Sequence, residues 1–177
     1  MRVAIFADIH GNLQALEAVL DDLKTQSPDV IVVNGDLVNR GPNNVEVLQS
    51  ILNQGHIITL GNHDDLLRML VDKDPNLSEV FFTDPFWEAN RWCARQLEQA
   101  RLIDALRNLP ITHKVEIAGA PSLLISHGSP RHYREGYSNH LSDEALSEIL
   151  QEYPADILIG SHTHDPLERQ WGPHLIL

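Results

Sequence analysis

The chain has a single cysteine, Cys93, so no internal disulfide can form, and the composition fits a reducing cytoplasm. No apolar run approaches the ~20 residues that a bilayer span needs. Residues 1–6, Met-Arg-Val-Ala-Ile-Phe, run straight into a strand-like segment without the features of a signal peptide. Cations are also scarce: Lys and Arg total 13 against 25 Asp and Glu, a formal net charge of −12. That balance argues against binding long nucleic acid, which depends on cationic patches. An anionic ligand would have to be met by another positive field, most obviously bound metal ions. Cys93 has no arginine six residues on, and neither a Gly-x-Ser-x-Gly elbow nor a Walker phosphate loop occurs. Repeats, low-complexity tracts and linkers are missing too, so residues 1–177 read as one domain with one sizeable core.

What is present is periodic and rich in histidine, with ten in 177 residues. An apolar run over 2–7 leads into Asp8-Ile9-His10-Gly11-Asn12. Leu13, Leu16, Val19, Leu20 and Leu23 then recur at helical spacing to about Thr25. Residues 30–33 form a second buried strand ending at Asn34-Gly35-Asp36, and Val45, Val47, Leu48, Ile51 and Leu52 a second helix. Residues 56–60 are a third strand, followed by Gly61-Asn62-His63-Asp64 and a third helix. This β-α-β-α-β-α order predicts a parallel sheet with right-handed crossovers, an α/β fold. Residues 77–109 are helical, with Phe81, Phe82, Phe86, Trp87 and Trp92 as core, cover or the border of a groove. Strands are expected over 111–117, 122–126, 156–159 and from 174 onward, with a short helix over 141–150.

Five of these strands end in metal-capable side chains: Asp8 and His10; Asp36; Asn62 and His63; His127; His162 and His164. Open parallel sheets bind ligands beyond the carboxyl ends of their strands, so the fold would gather these groups at one edge. Each alone has an ordinary explanation, as a turn acid, a helix cap or a satisfied histidine. Their joint recurrence does not. Carboxylate, imidazole and amide without thiolate suit Mn, Fe, Zn, Ni or Co better than a structural zinc site. The donors outnumber those one tetrahedral ion uses and suit a pair, with Asp36, on the central strand, able to bridge.

The blocks Asp8-Ile9-His10, Gly35-Asp36, Gly61-Asn62-His63-Asp64, His127-Gly128 and Gly160-Ser161-His162-Thr163-His164 resemble the five signature blocks of the calcineurin-like metallophosphoesterases, in that family's order. "MRVAIFADIHGNLQALEAVLDDL" and "HGSP" are most similar to the bacterial branch of small phosphatases and phosphodiesterases related to diadenosine-tetraphosphatases. The resemblance implies an αββα sandwich with mixed sheets, the helical segment 77–109 covering or bordering the site. It implies Asp8, His10 and His164 on a first divalent ion, Asn62, His127 and His162 on a second, and Asp36 between them. Manganese is the first choice of metal. The implied reaction is hydrolysis of a small, nucleotide-like phosphodiester or phosphomonoester by metal-bound hydroxide, with His63 as general acid.

Two departures from the family pattern carry expectations. "GDLVNRG" resembles the "GDxVDRG" block of Ser/Thr protein phosphatases, but Asn39 stands where the acid that orients the catalytic histidine belongs. An amide orients an imidazole without adding charge, which predicts a weaker preference for poor leaving groups. Arg40 is retained and reads either as a phosphate contact through its planar fork or as half of a surface salt bridge. The chain also stops at Leu177, before the strands with which the family usually continues. The expectation is an incomplete second sheet whose open edges invite strand pairing into a homo-oligomer. The alternatives are a non-catalytic metal-binding scaffold of the same fold and a Ser/Thr protein phosphatase-like enzyme. Pro166 stands where the final histidine of a metallo-β-lactamase-like block would fall. Arg131, His132, Tyr133 and Arg134 read as a solvated loop or a substrate contact, and Asp64 as a first-turn acid.

Overall fold

The computed structural model describes residues 1–116 and 118–177. Its first half alternates strand and helix: β1 (Val3–Phe6), α1 (Leu13–Gln26), β2 (Val30–Asn34), α2 (Asn44–Asn53), β3 (Ile57–Thr59) and α3 (Asn62–Asp72). The three strands pair in parallel in the order β1-β2-β3, which makes β2 central. Local chemistry sets the helix ends. Asn12 caps α1 by accepting from Ala15 N, and Ser27 ends it in the left-handed region before Pro28.

A helical stretch follows, made of α4 (Val80–Thr83), a 3-10 turn at Pro85–Trp87, α5 (Glu88–Gln99) and α6 (Ile103–Arg107). The second sheet takes β4 (Thr112–Val115), β5 (Leu123–Ser126), β6 (Ile157–Ile159), β7 (Arg169–Trp171) and β8 (His174–Ile176), with α7 (Asp143–Glu152) between β5 and β6. Its strand order is β4-β5-β6-β8-β7, parallel in the middle and antiparallel at both ends. The expected strand over 111–117 spans 112–115; Ile117 lies outside the described residues. Strand β8 falls where a strand was expected from 174 onward, whereas β7, which carries no apolar run, and its hairpin with β8 were not expected.

Alternation of side chains explains the layering. Val30 and Val32 of β2, with Ile5 and Ile57, face Val115, Leu123, Ile125 and Ile159 of the second sheet. Val33, Phe6 and Ile58 point the other way, into a core with Leu16, Leu48, Leu67 and Leu97 from α1, α2, α3 and α5. On the far side, Leu146, Ile149 and Leu150 of α7 bury against Leu124, Leu158 and Ile176. The result is an αββα sandwich. Each fully buried leucine or isoleucine contributes about 1.5–3 kcal/mol, and these contacts hold the strand ends in register. None of the described helices is long and apolar enough to cross a membrane.

Candidate metal centre and adjoining cleft

The loops beyond the strands keep pairing after the strands stop. Asp8 N donates to Gly35 O at 3.2 Å, His10 N to Asp36 O at 2.9 Å and Gly11 N to Leu37 O at 2.9 Å. Ser161 N likewise donates to His127 O at 2.9 Å, and Asn34 Nδ2 crosses between the sheets to Ser126 O at 2.9 Å. These bonds, with the parallel pairing of β3 on β2, draw the five expected strand ends to one edge. Glycines let the backbones approach closely. Gly35 has φ of +75°, and a Cβ there would lie 2.8 Å from both the Gly61 backbone and His127 Nδ1. A Cβ on Gly61 would collide with Asp36 N.

Asp8, His10 and His164 bring one ligand atom each within 4.8 Å of one another, as do Asp8, Asp36 and His127. His164 Nε2 is 3.0 Å from Asp8 Oδ1, and His10 Nε2 is 3.6 Å from the same oxygen. Asp36 is buried and central: its Oδ2 lies 3.7 Å from His10 Nε2 and 3.3 Å from His127 Nε2. Its Oδ1 accepts the backbone N–H of His63 at 2.8 Å. His127 Nε2 is also 3.1 Å from Asn62 Oδ1. His162 joins none of these triplets, but its ring stands 5.3 Å from that of His127, and it lines a cavity of about 300 Å³ with His10, Asp36, Asn62 and His164.

The donor set fits divalent cations. Asn34 O lies 2.9 Å from His127 Nδ1, which places the ring proton there and turns the Nε2 lone pair toward Asp36 Oδ2 and Asn62 Oδ1. Three lone-pair atoms facing one another repel unless a proton or a cation sits among them. Without a cation, burial opposes charge on His127, yet the hydrogen bond and charge of Asp36 overcome it and raise the pKa. An ion displaces such a proton. Burial lowers the pKa values of His10 and His162, leaving neutral imidazoles suited to metal.

His63 sits beside this centre at the first turn of α3. Its Nδ1 is 2.8 Å from Asn39 Nδ2 and its Nε2 is 3.0 Å from a guanidinium nitrogen of Arg40. Both neighbours offer N–H, whereas a neutral imidazole accepts at one nitrogen only. Burial first, with Arg40 adding, pushes the His63 pKa down to about 4 against the opposing pull of Asp36. With His10 and Asp36 it forms a further group able to hold an ion, so geometry alone allows it a second role.

Asp64 is more than a first-turn acid. It is buried, and its Oδ1 accepts from Leu37 N at 2.9 Å and Val38 N at 3.2 Å while Oδ2 accepts from Gly61 N at 3.0 Å. Burial, with the charge of Asp36, pushes its carboxyl up to about 7. Of the loop expected to be solvated or substrate-facing, Arg131 is engaged by Glu135 and Glu148, and Tyr133 Oη donates to Asp65 at 2.5 Å. Arg134 lines a cleft with His63.

Residues 1–166 match the family model described as calcineurin-like phosphoesterase. An uncharacterized protein of Methanocaldococcus jannaschii is 27% identical over 175 residues, 99% of this chain and 67% of the relative. A symmetrical bis(5'-nucleosyl)-tetraphosphatase of Erwinia tasmaniensis is 33% identical over 105 residues, 54% of this chain and 38% of the relative. A metallophosphoesterase structure from Sphaerobacter thermophilus superposes with a TM-score of 0.69 at 28% identity, over 96% of this chain and 63% of that one. The chain thus spans about two thirds of the archaeal relative and well under half of the tetraphosphatase.

Proposed function

Because this chain belongs to the calcineurin-like phosphoesterase family, we propose that it is a metal-dependent hydrolase of small, nucleotide-like phosphate esters. The observation that carries this reading is Asp36, a buried carboxylate set between the imidazoles of His10 and His127. Asp8, His10 and His164 would hold one ion, Asn62, His127 and His162 the other, with Asp36 shared. When bound, such a pair offsets phosphoryl charge and makes water acidic enough to attack near neutral pH.

The remaining work falls to the chain's own groups. Arg40 can exchange its contact with His63 for a phosphoryl oxygen, which its planar fork suits. An anionic phosphoryl group against Nε2 opposes the depression of the His63 pKa, so the ring acquires its proton as substrate arrives. Nε2 then gives that proton to the leaving oxygen. Asn39 adds no charge to stabilise the imidazolium, so good leaving groups are favoured.

The test joins metal analysis to parallel assays of bis-p-nitrophenyl phosphate and p-nitrophenyl phosphate with added manganese. Asp36→Asn should lose metal and both activities. His63→Ala should keep its metal and lose turnover by ~10²–10⁴-fold, the usual worth of a general acid. A His63→Ala chain that comes back empty of metal makes His63 a ligand and refutes its role as acid. A wild-type chain that binds no divalent ion refutes the proposal as a whole.

A further inference from the structure

Beside the metal centre, and sharing His63 and Arg40 with it, lies a second cleft of about 500 Å³. That is too large for a phosphoryl group alone and falls in the range that holds a small organic ligand. Its outer wall comes from the helical stretch: Phe81, Phe86, Trp87 and Asn90, with Arg134 also lining it. Phe86 is 79% exposed. A lone exposed phenylalanine is ordinary, but this one is held in place over a cleft. Its N–H is accepted by Asp84 Oδ1 at 2.8 Å, and Pro85 precedes it in the 3-10 turn. Arg91 ties the same turn down by donating to Phe81 O at 2.9 Å and Asp84 O at 3.0 Å. Behind Phe86 stands Trp87 at 5.1 Å, edge to face, itself packed on Phe81 at 4.2 Å.

We propose that Phe86, backed by Trp87 and Phe81, is a stacking shelf for the nucleobase of a nucleotide substrate and sets specificity for nucleoside esters over aliphatic ones. The proposal deepens the phosphoesterase reading and rests on it for what happens at the His63 end. Charge agrees with the assignment. In a chain of net charge −12, Arg40 and Arg134 make no ion pair with a carboxylate among the described residues, and both line this cleft. Their positive charge suits a phosphate attached to the stacked base. Asn90 adds hydrogen-bonding capacity on the same wall: its Nδ2 donates to Asn39 Oδ1 at 3.2 Å, and its Oδ1 remains to accept from a base edge.

The test compares thymidine 5'-(p-nitrophenyl phosphate) with methyl p-nitrophenyl phosphate on the manganese-loaded chain, since the two share a leaving group and differ in the nucleoside. Phe86→Ala should raise KM for the thymidine ester about tenfold, the loss of one stacked base, leaving its kcat and the methyl ester unchanged. Phe86→Trp should restore KM. Equal losses on both esters, or no change on either, overturn the shelf. A second readout needs no turnover: AMP should quench tryptophan fluorescence of the metal-free chain more tightly than ribose 5-phosphate competes, and Phe86→Ala should abolish the difference. A wild-type chain that cleaves neither ester removes phosphodiester hydrolysis, while the AMP comparison still decides the shelf. Equal binding of AMP and ribose 5-phosphate overturns it.

Discussion

Removing the Asp64 carboxyl should destabilise the chain without emptying the metal centre. Asp64 accepts three backbone N–H groups, from Leu37, Val38 and Gly61. Leu37 and Val38 are fully buried, and Gly61 is buried as well. An alanine there leaves three buried donors unmet, each at ~1–3 kcal/mol. Partial relaxation and the entry of water bring the expected loss to about 3–5 kcal/mol, near the upper end for single substitutions. An asparagine is milder. Its oxygen can keep Leu37 and Val38, but its amide nitrogen then faces the Gly61 N–H, donor against donor, for about 1–3 kcal/mol. At ~2–4 °C per kcal/mol in a chain of this size, the melting temperature should fall by about 6–20 °C for Asp64→Ala and less for Asp64→Asn. Urea denaturation gives the free energies, and metal analysis of the folded fraction gives occupancy. An alanine variant as stable as the parent refutes the anchor. Metal lost at unchanged stability makes Asp64 a ligand.

Other expectations are briefer. Gly35→Ala places a Cβ against Gly61 and His127 at φ of +75°, so it should lose at least ~1–2 kcal/mol from backbone strain alone and bind metal weakly; a well-folded, metal-replete variant would contradict this. Leu158→Ala opens the fully buried contact between β6 and α7 and should lose ~2–5 kcal/mol in urea titration, with the loaded centre unaltered. Arg131 beside Glu135 holds that carboxyl below its ordinary 4.5. The stability it adds is therefore present above that value and lost as pH falls through the lower folded one. The gap between wild type and Glu135→Gln should narrow on acidification below about 4; a gap that widens there has the wrong sign. Ions binding the folded chain alone stabilise it by ~2.7 kcal/mol at a hundredfold excess over Kd, so a chelator should lower the melting temperature, and manganese should restore it.

The part of the site lying at strand ends was legible because period and position coincide. Apolar runs mark β1, β2 and β3, and the polar residue after each run falls where a parallel sheet opens. Long-range pairing was not legible. The order β4-β5-β6-β8-β7 inserts the last strand beside β6, and β7, Arg169-Gln170-Trp171, is a polar edge strand with no apolar alternation to announce it. Asp64 hid for a similar reason. A first-turn acid and a buried anchor look alike locally, and two of its three donors lie on the loop after β2, 26 and 27 residues away. Phe86 read as core, cover or the border of a groove, because apolarity does not reveal which side of a short turn faces solvent.

The backbone at the centre ties the choice of residue to the chemistry in a second way. Asp8, His10, Asp36, Asn39, His162 and His164 all have positive φ, between 49° and 76°. Side chains with a Cβ avoid that region, but Asp, Asn and His enter it several-fold more often than other residues. The same types also supply metal-seeking lone pairs. One residue type therefore meets two demands: it turns the chain sharply after a strand and it presents a donor into the pocket. Alanine at any of these positions removes a donor and also places a residue poorly suited to the turn, with a strain of ~1–2 kcal/mol. Alanine scanning there mixes chemistry with folding. Exchange within the set separates them: Asp36→Asn keeps a tolerant backbone and an oxygen for the His63 N–H while removing the charge between His10 and His127. If Asp36→Asn and Asp36→Ala lost stability equally in the metal-free chain, the turn would place no demand on residue type, and the double constraint would be wrong.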